Sequence, residues 1–152
     1  MEIERKYLVD KIPENYREFP CHVIEQAYLC TAPVVRIRRE DDSYYLTYKG
    51  KGLMAREEYN LPLNEQAYNH LLPKADGIVL TKTRYLIPVD GSDHLTVEMD
   101  VFSGKYEGLV LAEVEFPTEE EALAFVAPEW FGRDVTFSGE YQNSRLAGGD
   151  LG

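Results

Sequence analysis

Charged residues recur at every second position in several short segments of the chain, and this spacing constrains the fold more than any other feature. Near the start of the chain, the charged residues Glu2, Glu4 and Lys6 lie two residues apart. The apolar residues Ile3 and Tyr7 occupy odd-numbered positions of the same segment. Alternate side chains of an extended strand share one face. The segment therefore predicts a strand with one charged and one largely apolar face. If this were the only such strand, the apolar face would be expected to pack on the core and the charged face to meet water.

Four later segments show the same spacing, and each pair carries one sign of charge. The pairs are Arg36 and Arg38, Lys82 and Arg84, Glu98 and Asp100, and Glu113 and Glu115. A sheet that faces solvent would more often mix signs along each strand, because like charges that lie side by side repel. The segregation therefore predicts that something charged lies between these faces.

The overall charge of the chain excludes a general nucleic-acid surface. The net charge is −11, whereas nucleic-acid-binding domains show a basic excess. Positive charge is instead concentrated on the predicted strands, whose charged faces carry Lys6, Arg36, Arg38, Lys49, Arg56, Lys82 and Arg84. An acidic exterior around such a basic interior suits a small, highly charged anion.

Eight segments have the alternation of strands, and most are joined by short turn signals. They are residues 2–10, 21–30, 34–39, 44–49, 54–63, 78–89, 95–102 and 109–116. Asn64 and Thr118 are predicted to cap helices that run through Leu72 and Val126, and residues 139–147 to form a short helix. This order predicts a mainly β fold of the α+β class, with a closed eight-stranded antiparallel barrel and a few peripheral helices.

Such a barrel can hold one apolar and one charged set of positions in two ways. Either the charges face water around an apolar lumen, or they line the lumen while helices and loops cover the outside. Charges of segregated sign favour the second arrangement, because a lined tunnel needs a bound counter-ion and an exposed surface does not.

The chain is expected to form one domain over residues 1–152 and to stay in the cytoplasm. No stretch approaches the roughly 20 apolar residues of a membrane span, and no signal sequence precedes the first strand. Cys21 and Cys30 share one predicted strand, so their Cα atoms would lie roughly 30 Å apart, too far for a disulfide. Free thiols agree with a reducing compartment. We expect no nucleic-acid or membrane partner, and the sequence leaves a homodimer open.

In chain order, these segments resemble the strands of the CYTH superfamily, the triphosphate tunnel metalloenzymes. Residues 2–6, Glu-Ile-Glu-Arg-Lys, resemble the ExExK signature of the family. The other matching segments are residues 36–38, 47–49, 56–59, 82–85, 98–100 and 113–116. Residues 130–136 and 141–143 are similar to the tail of the short bacterial members, so the resemblance covers essentially the whole chain.

The resemblance implies a tunnel that binds a triphosphate and hydrolyses it with a divalent metal. Family members include inorganic, thiamine and RNA triphosphatases and class IV adenylate cyclases, and the short bacterial branch includes enzymes that cleave inorganic triphosphate. We therefore expect a metal-dependent phosphoanhydride hydrolase that converts inorganic triphosphate (tripolyphosphate) to pyrophosphate and phosphate, with Mg²⁺ as the metal and Mn²⁺ as the alternative. The alternatives are a nucleoside or thiamine triphosphatase, an adenylate cyclase, and a non-catalytic barrel that binds polyphosphate or a nucleotide.

The resemblance also implies roles for the matching positions. Substrate would be held by Lys6, Arg36, Arg38, Lys49, Arg56, Lys82 and Arg84. Metal would be held by Glu2, Glu4, Asp100, Glu113 and Glu115. The catalytic candidates are Lys6, Glu58 and Lys82. These types suit the chemistry, because arginine and lysine bind phosphate oxygens and a hard cation can bridge carboxylates to the substrate. A simple anion-binding barrel would have no use for the carboxylates, so a metal-dependent enzyme is the preferred interpretation.

Three points stay open at this stage. Arg56 and Glu58 either pair with each other or contact the substrate. Tyr28 either orders phosphate or packs in the core. The tail from Tyr141 is expected to plug one mouth of the tunnel.

Overall fold

The computed structural model describes residues 1–149, and its main feature is an antiparallel β-barrel. The strands are β1 (Glu2–Val9), β2 (Cys21–Thr31), β3 (Val34–Glu40), β4 (Ser43–Lys49), β5 (Ala55–Arg56), β6 (Glu58–Leu63), β7 (Asp76–Pro88), β8 (Thr96–Ser103), β9 (Val110–Glu115) and β10 (Phe131–Asp134). The helices are α1 (Glu65–Leu71), α2 (Glu119–Ala124) and α3 (Asn143–Ala147), with 3₁₀ turns at Tyr16–Glu18, Leu72–Lys74 and Gly104–Tyr106. Among residues 1–149, no helix is long and apolar enough to span a bilayer.

The strands form a ring in the order β1, β9, β8, β7, β2, β3, β4 and β6. The ring closes because β5, which runs on into β6 after one residue, pairs with β1 through Glu2 opposite Arg56. Strands β5 and β6 together make up the predicted strand over residues 54–63, so the predicted eight-stranded barrel is confirmed. Strand β10 was not predicted, and it pairs with β1 over Tyr7 and Val9.

The charged faces predicted from the sequence point into the barrel. On β1, the alternate residues Glu2, Glu4 and Lys6 are buried with at most 9% of their surface exposed. The apolar face of the barrel lies outside, where Tyr7 and Met99 belong to a core cluster that α2 and β10 help to cover. The arrangement with charges in the lumen is therefore the one that the chain adopts.

Both predicted helix caps are present, although the helices are shorter than expected. The Asn64 side chain accepts a hydrogen bond from the Ala67 N–H at 2.7 Å, and Thr118 accepts one from the Glu121 N–H at 3.1 Å. Helix α2 ends at Ala124 instead of Val126, because Phe125 is already extended. Helix α3 begins only at Asn143, since residues 139–142 form turns.

Candidate active site: a charged tunnel

A cavity of about 600 Å³ runs through the charged interior of the barrel. Its lining includes all seven predicted substrate-binding cations, namely Lys6, Arg36, Arg38, Lys49, Arg56, Lys82 and Arg84. Its acidic lining includes Glu2, Glu4, Glu40, Glu58, Glu98, Glu113 and Glu115. The structure thus brings the sequence-predicted residues to one cavity, with Asp100 placed just behind its wall.

Strand β3 supplies a cationic wall. Arg36 and Arg38 are each 6% exposed, and the buried Nε of Arg36 has no hydrogen-bond partner among residues 1–149. Its Nη2 donates to Thr47 Oγ1 at 3.1 Å. Burial and the neighbouring charges of Arg36 and Arg84 lower the pKa of Arg38. Two buried guanidinium groups with spare donors form a ready binding surface for an anion.

Asp100 fixes the two cations of β7. It is fully buried and accepts hydrogen bonds from Nε and Nη2 of Arg84 at 2.8 and 2.9 Å. Its Oδ2 also lies 2.7 Å from Lys82 Nζ. Burial lowers the pKa of Lys82 to about 7, although the charge of Asp100 opposes this shift. The Lys82 ammonium is therefore held rigidly and parts with its proton more easily than an exposed lysine.

Strands β1 and β9 supply the carboxylate wall. Glu4 lies directly opposite Glu115 in their pairing. Neither side chain makes a hydrogen bond or an ion pair with another residue in the described part of the chain, and Glu4 is only 8% exposed. Burial, followed by the charges of Glu113 and Glu2, raises the pKa of Glu4 well above its usual value. A buried carboxylate without a partner, as at Glu4, beside the more exposed carboxylate of Glu115 favours a divalent cation, since hard cations take oxygen ligands.

The ligand set for such a cation is not preassembled in the protein. Among residues 1–149, no three His, Cys, Asp or Glu side chains converge in a metal-binding arrangement. A cation such as Mg²⁺ takes only one or two carboxylates together with water and substrate phosphates, so Glu4 and Glu115 fit this mode of binding.

Lys6 is the cation on the carboxylate wall, on strand β1. Its Nζ is 3.4 Å from Glu113 Oε1 and donates to the Tyr141 carbonyl at 3.2 Å. Although burial lowers the pKa of Lys6, the charges of Glu113 and Glu4 raise it overall. Lys6 is therefore a charged ammonium on the carboxylate wall, held between Glu113 and the C-terminal segment.

Arg56 and Glu58 do not pair with each other. Arg56 Nε lies 3.6 Å from Glu2 Oε1, whereas Glu58 Oε2 lies 3.4 Å from Lys49 Nζ. Lys49 also donates to both oxygens of Glu2, at 3.0 and 3.2 Å. Burial raises the pKa of Glu58, but a hydrogen bond with Glu2 and the charge of Lys49 lower it to about 2. Glu58 is thus an ionised partner that holds Lys49 at the cavity.

Two residues of the site, Asn143 and Glu98, lie in segments identified from the sequence but have no role assigned there. Asn143 lines the cavity and accepts a hydrogen bond from Lys82 Nζ at 2.8 Å. Glu98 also lines it and accepts one from Arg84 Nη1 at 3.0 Å. The signal for Glu98 was its spacing from Asp100, but an isolated amide such as Asn143 carries no charge pattern. The contacts of Tyr141 and Asn143 place the C-terminal segment at the cavity, where a plug was expected.

The fold and the site define a class, namely an eight-stranded antiparallel tunnel in which a cationic wall faces a carboxylate wall. Residues 1–146 match the family model described as the CYTH domain, and the chain belongs to this family.

The chain is 37% identical to an inorganic triphosphatase of Nitrosomonas europaea over 149 residues, which cover 96% of each chain. It is also 37% identical to an inorganic triphosphatase of Acetivibrio thermocellus over 153 residues, 95% of this chain and 92% of the relative. A crystal structure of the inorganic triphosphatase NE1496 is similar with a TM-score of 0.72 and 35% identity, covering 97% of this chain and 95% of that one.

Proposed function

We propose that the protein hydrolyses inorganic triphosphate to pyrophosphate and phosphate in its tunnel, with the help of a divalent metal. The observation that carries the proposal is the presence of unsatisfied groups of opposite sign in one cavity: the Nε of Arg36, which has no partner among residues 1–149, on one wall, and the carboxylates of Glu4 and Glu115 on the other. A metal-bound triphosphate would satisfy both walls. The activity named for the two curated relatives supports the same reaction.

The cationic wall binds and orients the substrate. Arg36 and Arg38 offer planar pairs of donors to phosphate oxygens, and Lys49, Arg56 and Arg84 add charge around them. Phosphoryl transfer depends mostly on positioning and on stabilising the charge of the transition state. A wall of fixed, buried cations can supply both effects without a covalent intermediate.

The carboxylate wall would hold the metal. We assign Glu2, Glu4, Glu113 and Glu115 to this role, and a metal bound there would neutralise phosphate charge and lower the pKa of bound water. Asp100 differs from these four because it is fully buried outside the cavity lining, with both oxygens engaged by Lys82 and Arg84. We therefore propose that the main role of Asp100 is to orient Lys82 and Arg84.

Of the three catalytic candidates, we propose that Lys6 and Lys82 act directly on the substrate and that Glu58 positions a neighbouring lysine. Lys82 is held at the cavity by Asp100 and Asn143, and its lowered pKa suits transfer of a proton to or from a phosphate oxygen. Lys6 keeps its charge and stabilises the leaving group. Glu58 acts through Lys49, which it holds in position.

We further propose Mg²⁺ as the metal, with Mn²⁺ as a substitute, because both take carboxylate and phosphate oxygens. We also propose a cytoplasmic location. Its support is that Cys21 and Cys30 are both free thiols, which is typical of reducing compartments.

The experiment that tests the proposal is phosphate release from inorganic triphosphate, ATP and thiamine triphosphate, with and without Mg²⁺. We expect fast, Mg²⁺-dependent release from inorganic triphosphate, slower release from the others, and loss of activity in Lys6→Ala. Lys51→Ala is the matched control, because Lys51 is exposed and lies outside the tunnel. No release from any substrate would contradict the proposal, and formation of cyclic AMP from ATP would indicate a cyclase.

A further inference from the structure

Gln26 is a buried amide whose every hydrogen-bonding group is used within the tunnel wall. Its side chain is 0% exposed. Its Oε1 accepts from Nε and Nη2 of Arg38 at 2.9 and 2.6 Å. Its Nε2 donates to Asn143 Oδ1 at 3.0 Å and to the Tyr28 hydroxyl at 3.2 Å. One oxygen with two lone pairs and one nitrogen with two hydrogens are therefore all satisfied.

The orientation of this amide is dictated by its neighbours. Arg38 and Lys82 carry donors only, so each must face an amide oxygen. Lys82 Nζ donates to Asn143 Oδ1 at 2.8 Å, and the same oxygen accepts from Gln26 Nε2. The result is a continuous bridge of hydrogen bonds from Arg38 through Gln26 and Asn143 to Lys82.

A neutral group at this position has a chemical advantage over a carboxylate. A carboxylate would also order the Arg38 guanidinium, but it would compensate the charge that an anion must meet. The amide fixes two N–H groups of Arg38 without adding a further counter-charge to that of Glu40, whose Oε1 lies 3.7 Å from Nη1 of Arg38. It does so from β2, whereas Asn143 approaches from the C-terminal segment.

We propose that Gln26 is a positioning residue that aims Arg38, and through Asn143 also Lys82, at one bound triphosphate. The inference rests on the proposed function of the tunnel. Removing either amide breaks the same bridge, so the losses caused by the two changes are coupled and do not add. The effect falls mainly on substrate binding, since the bridge orders groups that hold the anion in the ground state.

The test compares Gln26→Met, Asn143→Leu and the double variant with wild type. Calorimetry measures binding of inorganic triphosphate to metal-free protein, and steady-state kinetics with Mg²⁺ measures KM and kcat. We expect each single variant to weaken binding and raise KM about tenfold, and the double variant to do no more than that. In Gln26→Met, kcat should fall less than KM rises. Gln66→Met is the matched control, because Gln66 is exposed on α1.

A second variant keeps the inference testable if Gln26→Met does not fold. Gln26→Glu keeps the shape of the side chain and its contact with Arg38 but compensates the charge, so it should also weaken binding. Folded Gln26→Met or Gln26→Glu that binds triphosphate within twofold of wild type would overturn the inference, as would a double variant whose loss equals the product of the single losses. Either result would leave the proposed function intact, provided that wild type binds and cleaves triphosphate. A wild type that does neither overturns the proposed function as well.

Discussion

Lys82 Nζ lies 2.7 Å from Asp100 Oδ2, and at most 1% of either side chain is exposed. Asp100 also forms a two-pronged contact with Arg84. One carboxylate thus compensates two buried cations and fixes the direction in which both meet the cavity.

Asp100→Asn should destabilise the protein by about 3 kcal/mol, because it leaves buried cations without their counter-charge. If Asp100 orients cations, the Mg²⁺ concentration for half-maximal rate should stay unchanged while KM for triphosphate rises. Denaturant unfolding and a metal titration of the rate measure both effects. Asp93→Asn is the control, since that side chain is 97% exposed. A tenfold shift in the metal midpoint would place Asp100 among the metal ligands instead.

Arg36→Gln should stabilise the ligand-free protein and impair its function. The substitution removes a buried charge whose Nε has no partner, so the free energy of unfolding should rise by about 1 kcal/mol. Affinity for triphosphate should fall at least tenfold, because a charge-assisted contact is lost. Denaturant unfolding and calorimetric titration measure the two quantities. Arg39→Gln, on the exposed face of the same strand, should change neither. A destabilised Arg36→Gln would show that Arg36 is already well paired without a ligand.

Glu4→Gln tests the carboxylate wall. The change removes a buried charge, so the metal-free protein should gain about 1 kcal/mol in stability. The Mg²⁺ concentration for half-maximal rate should rise at least tenfold and kcat should fall. Glu57→Gln is the matched control, because Glu57 is exposed outside the tunnel. An unchanged metal titration in Glu4→Gln would remove Glu4 from the ligand set.

The stability of the protein should depend on acid pH through Asp134. Burial raises the pKa of Asp134, but hydrogen bonds from Thr136 and Arg5 lower it overall. A lowered pKa gives stability that is present above the unfolded value near 3.9 and is lost as pH falls through the folded value. Since the carboxylate is 38% exposed, its contribution should be only about 0.5–1 kcal/mol.

The comparison is between wild type and Asp134→Asn, unfolded in denaturant at a series of pH values. The difference in free energy should be constant near neutral pH and shrink below about pH 4. Asp42→Asn, at an exposed loop position, should change stability by less than about 0.5 kcal/mol. A difference between wild type and Asp134→Asn that grows at acid pH would reverse the assigned direction of the pKa shift.

The barrel could be predicted from the sequence because the charged residues report strand alternation directly. At Glu2, Glu4 and Lys6, the period of two gives both the strand and the face that points inward. Strand β10 was missed because its formation depends on distant pairing with β1, which no local pattern of residues 131–134 reveals.

The contacts within the site could not be predicted from the sequence where neutral groups or long-range partners decide its geometry. Arg56 and Glu58 lie on one face, but barrel closure at β1 gives Arg56 a nearer partner in Glu2. Gln26 and Asn143 are 117 residues apart, so neither their contact nor its bearing on Arg38 follows from sequence spacing. Roles that arise from such contacts become visible only in the folded chain.

The most direct test of the central claim is a phosphorus NMR spectrum of inorganic triphosphate after incubation with the enzyme and Mg²⁺. We predict that triphosphate disappears and that pyrophosphate and phosphate appear in equal amounts, and that Lys82→Met leaves triphosphate intact. Triphosphate that wild type binds but leaves uncleaved would contradict the account and make the tunnel a binding site instead of an active site.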